Sequence, residues 1–289
     1  MPVTDSALRY PGGKTQLAPV VIDILKGNGL FYGDYVEPFA GGAGIAWKLL
    51  LNDYVNHIHV NDLDPAIYAF WWSVLNRTDA LCERIDSTDI NIDEWHAQRD
   101  IQEQKRVGMF DLGFSTFFLN RTNRSGIIRG GVIGGLDQTG KYKIDCRFNK
   151  TDLIRKIRRI AAQKERVHLY NLDAVDFIAN VLPEVPRRAL VNLDPPYYVK
   201  GPELYRNHFT HEDHAELAKA VRTIKQRWMV TYDDTPEIRS LYKRYPMYTH
   251  RLNYTAQVKR IGTEILVLAP KLIPPKTLQP SQLLERAAA

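Results

Sequence analysis

The chain has 289 residues, of which 44% are apolar and 25% charged, so it can bury a sizeable core and is not a disordered protein. It has no apolar run long enough to cross a membrane and no N-terminal signal peptide, and we expect a cytoplasmic protein without membrane association. Cys82 and Cys146 lie far apart and outside any Cys/His cluster, so no structural zinc or other metal is expected.

Positive charge is concentrated in one segment. Residues 121–160 contain 11 Lys and Arg against 3 Asp, a net charge of +8, whereas the whole chain carries +6, which leaves −2 for the remainder. Such a concentration is typical of a surface that binds a polyanion. A solvated helix surface is the alternative, because Arg155, Lys156, Arg158 and Arg159 could simply be exposed.

Short apolar runs alternate with helical patterns, which indicates an α/β fold with a mostly parallel sheet and helices on both faces. The predicted strands cover 34–39, 57–61, 167–170, 189–193, 227–231 and 264–269. The predicted helices cover 45–51, 66–75 and 176–181, and a further helix starts at Thr210. Asp213, three residues later, completes a capping box there.

The pattern changes between residues 76 and 164. A polar helical stretch covers 90–107, an aromatic patch 110–118, and a glycine-rich segment 126–140 precedes a strand-like stretch at 141–148. We interpret 76–164 as an inserted subdomain that divides the α/β domain into 1–75 and 165–272. A tail, 273–289, follows and is expected to be frayed.

A glycine-containing loop at residues 10–14 (YPGGK) is the first motif that carries chemistry. It is not a phosphate-binding P-loop, because the first glycine of that motif would fall at Leu8 and no strand precedes it. Tyr10 and Lys14 are candidates for contact with a ligand. An N-terminal turn with a surface lysine is the alternative.

Residues 37–44 (EPFAGGAG) place glycines between a predicted strand and a helix, where the backbone can approach a ligand closely. This is not the dinucleotide-binding fingerprint, because Trp47 stands where Gly or Ala is needed. Glu37 would repel a pyrophosphate but suits a cationic ligand such as a sulfonium. Phe39 and Gly41 are further candidates for cofactor contact.

Two carboxylates follow the second predicted strand. Asp62, 18 residues after Gly44, is placed to accept hydrogen bonds from ribose hydroxyls. Asp64 precedes Pro65 and is expected to cap the next helix.

Residues 194–197 (DPPY), after the apolar strand 189–193, point to a specific reaction. The exocyclic amine of a nucleobase is a weak nucleophile, so acceptors must hold it in line with a methyl sulfonium. Asp194 supplies one acceptor, and the Asp194 and Pro195 carbonyls supply others. Tyr197 offers an aromatic face to an extruded base. A proline-rich turn that merely ends a strand is the alternative.

Taken in order, these four motifs resemble those of the Dam-type adenine-specific DNA methyltransferases, over about residues 9–270. The resemblance implies a doubly wound, Rossmann-like methyltransferase sheet with an inserted target-recognition subdomain of helices and a β-hairpin. It implies S-adenosylmethionine as cofactor, bound by Tyr10, Lys14, Asp62 and Asp194. Asp173 matches the carboxylate that contacts the cofactor adenine.

The resemblance also gives the basic segment a role. Residues 118–122 (FLNRT) resemble a stretch that opens the DNA-facing hairpin region, and 232–234 (YDD) resemble a polar strand end beside the target pocket. Some basic side chains would contact phosphates and others would read guanine. The residues expected to contact DNA are Arg121, Arg124, Arg129, Lys141, Lys143 and Arg147.

The expected function is site-specific transfer of a methyl group to the N6 amine of an adenine flipped out of double-stranded DNA. The same chemistry on cytosine N4 or on an RNA adenine is the nearest alternative. An NAD-dependent oxidoreductase is disfavoured by Trp47, and a non-catalytic DNA-binding protein is a third reading. We expect a monomer, and a separate restriction endonuclease stays open as a partner. His211 and His214 are expected at the surface and Trp71 in the core.

Overall fold

The structure is a computed structural model that describes residues 4–9, 14–199, 209–254 and 260–280. The strands in these ranges are β1 (Asp34–Glu37), β2 (His57–Asn61), β3 (Val167–Tyr170), β4 (Ala189–Leu193), β5 (Arg227–Asp233), β6 (Met247–Tyr254), β7 (Arg260–Leu268) and β8 (Gln279–Pro280). They form one sheet in the order β3-β2-β1-β4-β5-β7-β6-β8.

The first five strands are parallel, and the last three pair antiparallel with their neighbours. β1 pairs with both β2 and β4, so the strand order reverses direction between β1 and β4. In a doubly wound sheet, ligands bind outside the carboxyl ends of the strands at this reversal. The sheet therefore predicts a site at the ends of β1 and β4.

Ten α-helices are present in the described ranges. They are α1 (Ala18–Gly27), α2 (Gly44–Leu50), α3 (Pro65–Asn76), α4 (Thr78–Ser87), α5 (Ile92–Glu103), α6 (Met109–Thr122), α7 (Lys150–Ala161), α8 (Ala174–Asn180), α9 (His211–Val221) and α10 (Pro236–Leu241). The predicted α/β fold with a doubly wound sheet is confirmed. The antiparallel strand β6 was not predicted from the sequence.

Side-chain caps begin two helices that border the site. Asp64 Oδ1 accepts the Ala66 N–H at 2.9 Å, and Pro65 occupies the first turn of α3. Thr210 and Asp213 form the reciprocal capping box at the start of α9. Both caps were predicted, because each is a short-range pattern in the sequence.

The inserted segment shares the core of the α/β domain. Helix α6 crosses α3 so closely that a Cβ added to Gly113 would lie 2.4 Å from Ser73 Oγ and 2.5 Å from the Ala69 carbonyl oxygen. Beside this crossing, the rings of Phe70 and Phe117 stack at 5.6 Å. The apolar residues of α6 therefore belong to the same core as the strands and helices of the sheet.

The strand predicted at 141–148 is wrong, because Ile144–Arg147 forms a 3₁₀ turn. The part of the insertion that resembles a hairpin lies earlier, at the antiparallel bridge between Asn123 and Val132. The Arg124 N–H donates to the Gly131 carbonyl at 2.9 Å on one side of that bridge. Within 141–148 only Ile144 and Phe148 are buried, and the other six residues are exposed or partly exposed.

Burial and strand pairing decide the expectations for Trp71, His214 and the C-terminal tail. Trp71 is fully buried, as predicted, but His214 is also fully buried rather than at the surface. The frayed tail expected from residue 273 is wrong in part, because Leu278 is buried and β8 pairs with β6. Among the described residues, no helix combines the length and the apolar character needed to cross a membrane.

Candidate active site at the carboxyl edge of the sheet

The loop after β1 is held by hydrogen bonds from three separate segments. The Gly41 N–H donates to Asp62 Oδ2 at 2.7 Å, and Trp71 Nε1 donates to the Gly41 carbonyl at 2.9 Å. Ser6 Oγ donates to the Gly42 carbonyl at 2.5 Å. Gly41 has a φ of +47°, a backbone conformation that favours glycine. The loop backbone is therefore fixed beside the carboxyl ends of β1 and β2.

Asp62 lies directly after β2 and binds backbone with both oxygens. Its Oδ2 accepts from Gly41, and its Oδ1 accepts the Asp64 N–H at 2.9 Å. Burial raises the pKa of Asp62 to about 6, against the lowering effect of these two N–H groups. A carboxylate has about four acceptor positions, so this group can still receive hydroxyl donors.

Glu37 ends β1 as a buried carboxyl group, only 6% exposed. Burial raises the pKa of Glu37 to about 8, and the negative charge of Asp194 acts in the same direction. Tyr35 Oη donates to Glu37 Oε1 at 3.0 Å, and Asn192 Nδ2 donates to Tyr35 Oη at 2.8 Å. A buried carboxyl group of this kind becomes charged when a cation binds beside it.

The turn after β4 is held by the neighbouring strand β5. Thr231 Oγ1 donates to Asp194 Oδ1 at 2.7 Å. Asp233 accepts the N–H groups of Tyr198 and Val199 at 2.9 Å each. These bonds fix the direction of the Asp194 carboxylate and the path of the turn that follows it.

Tyr197 in the same turn reaches the next strand, β7. Its hydroxyl donates to Glu264 Oε1, and the two side chains are 7% and 1% exposed. Glu264 lies opposite Asp233 in the antiparallel pairing of β5 and β7. The turn after β4 is therefore held by acidic side chains from two adjacent strands.

Asn61 joins the ends of the first three strands. Its Nδ2 donates to the Pro38 and Leu172 carbonyls at 3.0 Å each, and its Oδ1 accepts the Leu172 N–H at 2.9 Å. Asp173, which follows Leu172, caps α8 by accepting the Val175 N–H at 2.8 Å. Asp62 and Asp173 are thus brought to the same edge as Glu37.

An aromatic cluster covers the outer side of this edge. The Phe39 and Phe209 rings are 6.0 Å apart, and His214 packs against Phe209 at 5.2 Å and Tyr198 at 5.1 Å. His214 Nδ1 lies 2.9 Å from Tyr232 Oη. Burial lowers the pKa of His214 to about 4, so this imidazole is neutral at pH 7. The cluster is an apolar wall with a neutral histidine in it.

The N-terminal motif is only partly described. Tyr10 lies outside the described residues. Lys14 begins a short 3₁₀ turn, Lys14–Leu17, and its backbone alone is described. In the described part of the chain, no group of three or more His, Cys, Asp or Glu side chains is arranged to hold a metal ion.

The basic side chains of the insertion fall into two groups. Arg124, Arg129, Lys141 and Lys143 are exposed. Arg121 and Arg147 are partly buried, and Arg121 Nε donates to the Arg147 carbonyl at 2.8 Å. Burial lowers the pKa of Arg121 to about 10, and the positive charge of Arg9 adds to this effect. The Arg121 guanidinium therefore bonds within the protein.

Comparison with known protein families assigns the chain to one of them. The profile of the D12 class of N6 adenine-specific DNA methyltransferases matches residues 10–259. The chain belongs to this family. The match spans the N-terminal glycine loop, the insertion and the turn after β4, whereas Ser6 and Glu264 lie outside it.

Two relatives of this methyltransferase are Type II methyltransferases. M.CviBI, from Paramecium bursaria Chlorella virus NC1A, is 23% identical, with 89% of this chain and 95% of the relative covered. M.MjaIII, from Methanocaldococcus jannaschii, is 25% identical, with 76% and 80% covered. One solved structure, of a Pyrococcus horikoshii protein provisionally described as an RNA methyltransferase, is 10% identical with a TM-score of 0.44 over 92% of this chain and 87% of that one. That score is too low to support an argument.

Sequence reasoning located most of the carboxyl edge of this methyltransferase but missed residues that hold it in place. Asp62, Asp173 and Asp194 follow predicted strands, and Glu37 lies within the predicted strand 34–39 and ends β1. Thr231, Glu264 and Trp71 were not predicted as site residues, because their roles depend on strand pairing and helix packing. A carboxylate inside the apolar strand β7 was the one available signal for Glu264.

Proposed function

We propose that this methyltransferase transfers a methyl group from S-adenosylmethionine to the N6 amine of an adenine that is flipped out of double-stranded DNA, at a specific sequence. The observation that carries the proposal is the pair of carboxyl groups at the strand-order reversal. Glu37 ends β1, Asp194 follows β4, and the two interact electrostatically. Glu37 would pair with a positive charge of S-adenosylmethionine, and Asp194 would accept a hydrogen bond from the adenine amine.

The donor set at the ends of β1, β2 and β3 fits S-adenosylmethionine. Asp62 would accept the ribose hydroxyls, as acidic residues at this position do in nucleotide-binding sheets. Glu37 would pair with a positive charge of the methionine part, and Phe39 and Gly41 would contact it. Asp173 would meet the adenine of the cofactor, and Tyr10 and Lys14 would complete the site from the N-terminal loop.

Bound S-adenosylmethionine supplies an electrophilic methyl group on a sulfonium. Asp194 and the Pro195 carbonyl would accept hydrogen bonds from the adenine amine, which orients its nitrogen lone pair for in-line attack on the methyl carbon. Thr231 keeps the Asp194 carboxylate in this orientation. As the N–C bond forms, the bond between the sulfonium and the methyl carbon would break, and the proton that the amine loses would pass to solvent. The proposal requires neither a metal nor a covalent enzyme intermediate.

Tyr197 would stack against the flipped adenine and exclude water from the pocket. Its hydroxyl is bonded to Glu264, which limits rotation of the phenol ring. Tyr198 and His214 add apolar contacts next to the same turn. A base held between fixed aromatic groups arrives at Asp194 in one orientation, which is what a direct displacement requires.

The DNA would lie against the insertion, 76–164, which we propose as the target-recognition subdomain of a catalytic domain made of 1–75 and 165–272. The exposed cations Arg124, Arg129, Lys141 and Lys143 would contact phosphates or bases, with Arg121 and Arg147 behind them. We propose a cytoplasmic monomer. A separate restriction endonuclease would be the natural partner of a Type II enzyme.

Methylation mapping tests the proposal. The chain would be expressed in a host without adenine methylation, and its native DNA sequenced by a method that detects modified bases. We expect methyladenine in one short motif, and none with Asp194→Ala. Asp89→Ala, an exposed aspartate on a loop, is the matched control and should methylate like the parent. Methylcytosine in place of methyladenine, or methylation that survives Asp194→Ala, would contradict the proposal.

A further inference from the structure

Asn120 connects the insertion to the N-terminal segment through its side-chain amide. It is 1% exposed in the last turn of α6. Its Oδ1 accepts the Arg9 N–H at 2.7 Å, and its Nδ2 donates to the Arg9 carbonyl at 2.6 Å. The same Nδ2 donates to the Gly126 carbonyl at 2.8 Å. One buried carboxamide thus binds the backbone of Arg9 on both sides, as a neighbouring strand would.

Gly126 contacts the same point of the N-terminal segment. It has a φ of +79°, and an added Cβ would lie 2.4 Å from the Arg9 carbonyl oxygen. Only glycine permits this close approach. Asn120 and Gly126, which are hydrogen-bonded to each other, therefore both contact one peptide group, the carbonyl of Arg9.

Two arginine side chains form further hydrogen bonds across this junction, one from each segment. Arg9 Nη1 donates to the Asn123 carbonyl at 3.2 Å. From the insertion, Arg121 Nη1 donates to the Ala7 carbonyl at 3.5 Å. Residues 7–9 are therefore held by the end of α6 and by the turn that follows it.

The N-terminal segment connects this junction to the cofactor loop. Ser6 donates to the Gly42 carbonyl in the loop after β1. Arg9 is followed directly by residues 10–14, the motif with Tyr10 and Lys14. On the other side of the junction, the turn after α6 carries the exposed Arg124 and Arg129. Residues 6–9 therefore connect the proposed DNA surface on the insertion to the proposed cofactor site.

We infer that Asn120 is a positioning residue that fixes residues 6–9 and, through Ser6, the loop after β1, and so couples cofactor binding to DNA binding. The inference rests on the proposed function, because it needs S-adenosylmethionine at that loop and DNA on the insertion. Duplex DNA that immobilises the turn after α6 would immobilise Arg9 and, through Ser6, the loop after β1. By thermodynamic reciprocity, the cofactor would then tighten DNA binding by the same factor.

Calorimetry with S-adenosylhomocysteine, which does not react, tests the coupling. Its Kd would be measured with and without a duplex that contains the methylated motif. We expect the duplex to tighten binding by about 5-fold or more in the parent and by less than about 2-fold in Asn120→Ala. Asn76→Ala, an exposed asparagine whose amide bonds only within its own helix, should keep the full effect. In steady state, Asn120→Ala should raise the KM for S-adenosylmethionine about 10-fold or more while changing kcat far less.

Two further measurements guard against misfolding of the variant. Gly126→Ala displaces the same Arg9 carbonyl from the other side and should reduce the coupling too. Hydrogen exchange on the parent enzyme needs no variant at all, and duplex DNA should slow the exchange of amides in residues 6–9 and 40–44. Unchanged exchange there, or full coupling in a folded Asn120→Ala protein, would overturn the inference. A parent enzyme that neither binds the cofactor nor methylates DNA would instead refute the proposed function.

Discussion

The hydroxyl of Tyr197 donates a hydrogen bond to the buried carboxylate of Glu264, across 67 residues of chain. The bond joins the turn that contains Asp194 to an antiparallel strand from the last part of the sheet. In this arrangement a strand far away in sequence sets the orientation of the aromatic ring that we propose to stack on the target base.

Removing the Glu264 carboxylate should lower the methylation rate more than DNA binding. Glu264→Ala leaves the Tyr197 hydroxyl without this acceptor, and a ring misplaced by about 1 Å costs up to roughly 10²-fold in rate. Glu264→Gln keeps an oxygen acceptor and should recover most of the activity. Single-turnover kinetics on a duplex substrate measures this, with duplex Kd as the second readout. Equal rates for the two variants would contradict a positioning role.

Cofactor affinity should depend on pH through Glu37. The pKa of Glu37 is raised to about 8, so it is mostly protonated at pH 6. A bound cation favours the charged carboxylate, so the Kd for S-adenosylmethionine should fall as the pH rises from 6 to 9. Glu37→Gln should flatten this profile. Calorimetry at each pH measures it.

S-adenosylhomocysteine, which lacks the sulfonium charge, shows which cation Glu37 faces. If the Kd of S-adenosylhomocysteine does not change with pH, Glu37 faces the sulfonium. If it falls with rising pH as the Kd of S-adenosylmethionine does, Glu37 faces the amino group. A flat profile for both ligands with the parent enzyme would refute the pairing of Glu37 with a cation.

Replacing Arg124 should weaken DNA binding in one of two distinguishable ways. If Arg124 contacts a phosphate, Arg124→Ala weakens binding to all sequences and reduces the slope of log K against log salt by about 0.9. If it reads a base, discrimination of about 1–3 kcal/mol is lost at one base pair. Arg155→Ala, an exposed arginine on α7 that pairs with Asp152, is the matched control. Binding equal to that of the control would remove Arg124 from the interface.

Substituting Gly113 should destabilise the protein. A Cβ there would meet Ser73 Oγ and the Ala69 backbone, so α3 and α6 must move apart. We expect Gly113→Ala to lower the free energy of unfolding by about 1–3 kcal/mol. Gly27→Ala, where nothing lies within 4 Å of the added Cβ, should leave it unchanged or raise it by up to about 1 kcal/mol. Urea denaturation of both variants measures the difference.

Local patterns were enough to predict the parallel part of the fold. Strand β4 is buried at all five positions, and such strands stand out in a sequence as short apolar runs. The caps at Asp64 and Thr210 are also local, since donor and acceptor lie two or three residues apart. For the same reason, the sequence places Asp62 and Asp194 directly after strands, as the structure does.

Long-range contacts were beyond prediction from the sequence. Nothing near Glu264 indicates that β7 lies between β5 and β6, which brings its carboxylate to Tyr197. The polar surroundings of His214 suggested a surface position, yet aromatic side chains from three other segments bury it. The alternation at 141–148 imitates a strand, but Ile144–Arg147 forms a 3₁₀ turn instead.

The close crossing of α3 and α6 limits how DNA specificity can be exchanged between enzymes of this family. Transplanting the whole insertion would replace Phe117 and Gly113 but leave behind the Phe70 and Ala69 surfaces that fit them. The exchangeable unit is therefore smaller: the loop between the end of α6 and the start of α7, which carries the exposed cations. A graft limited to that loop would leave the crossing of α3 and α6 unchanged, provided that it keeps Val132, Ile144 and Phe148, which belong to the same core.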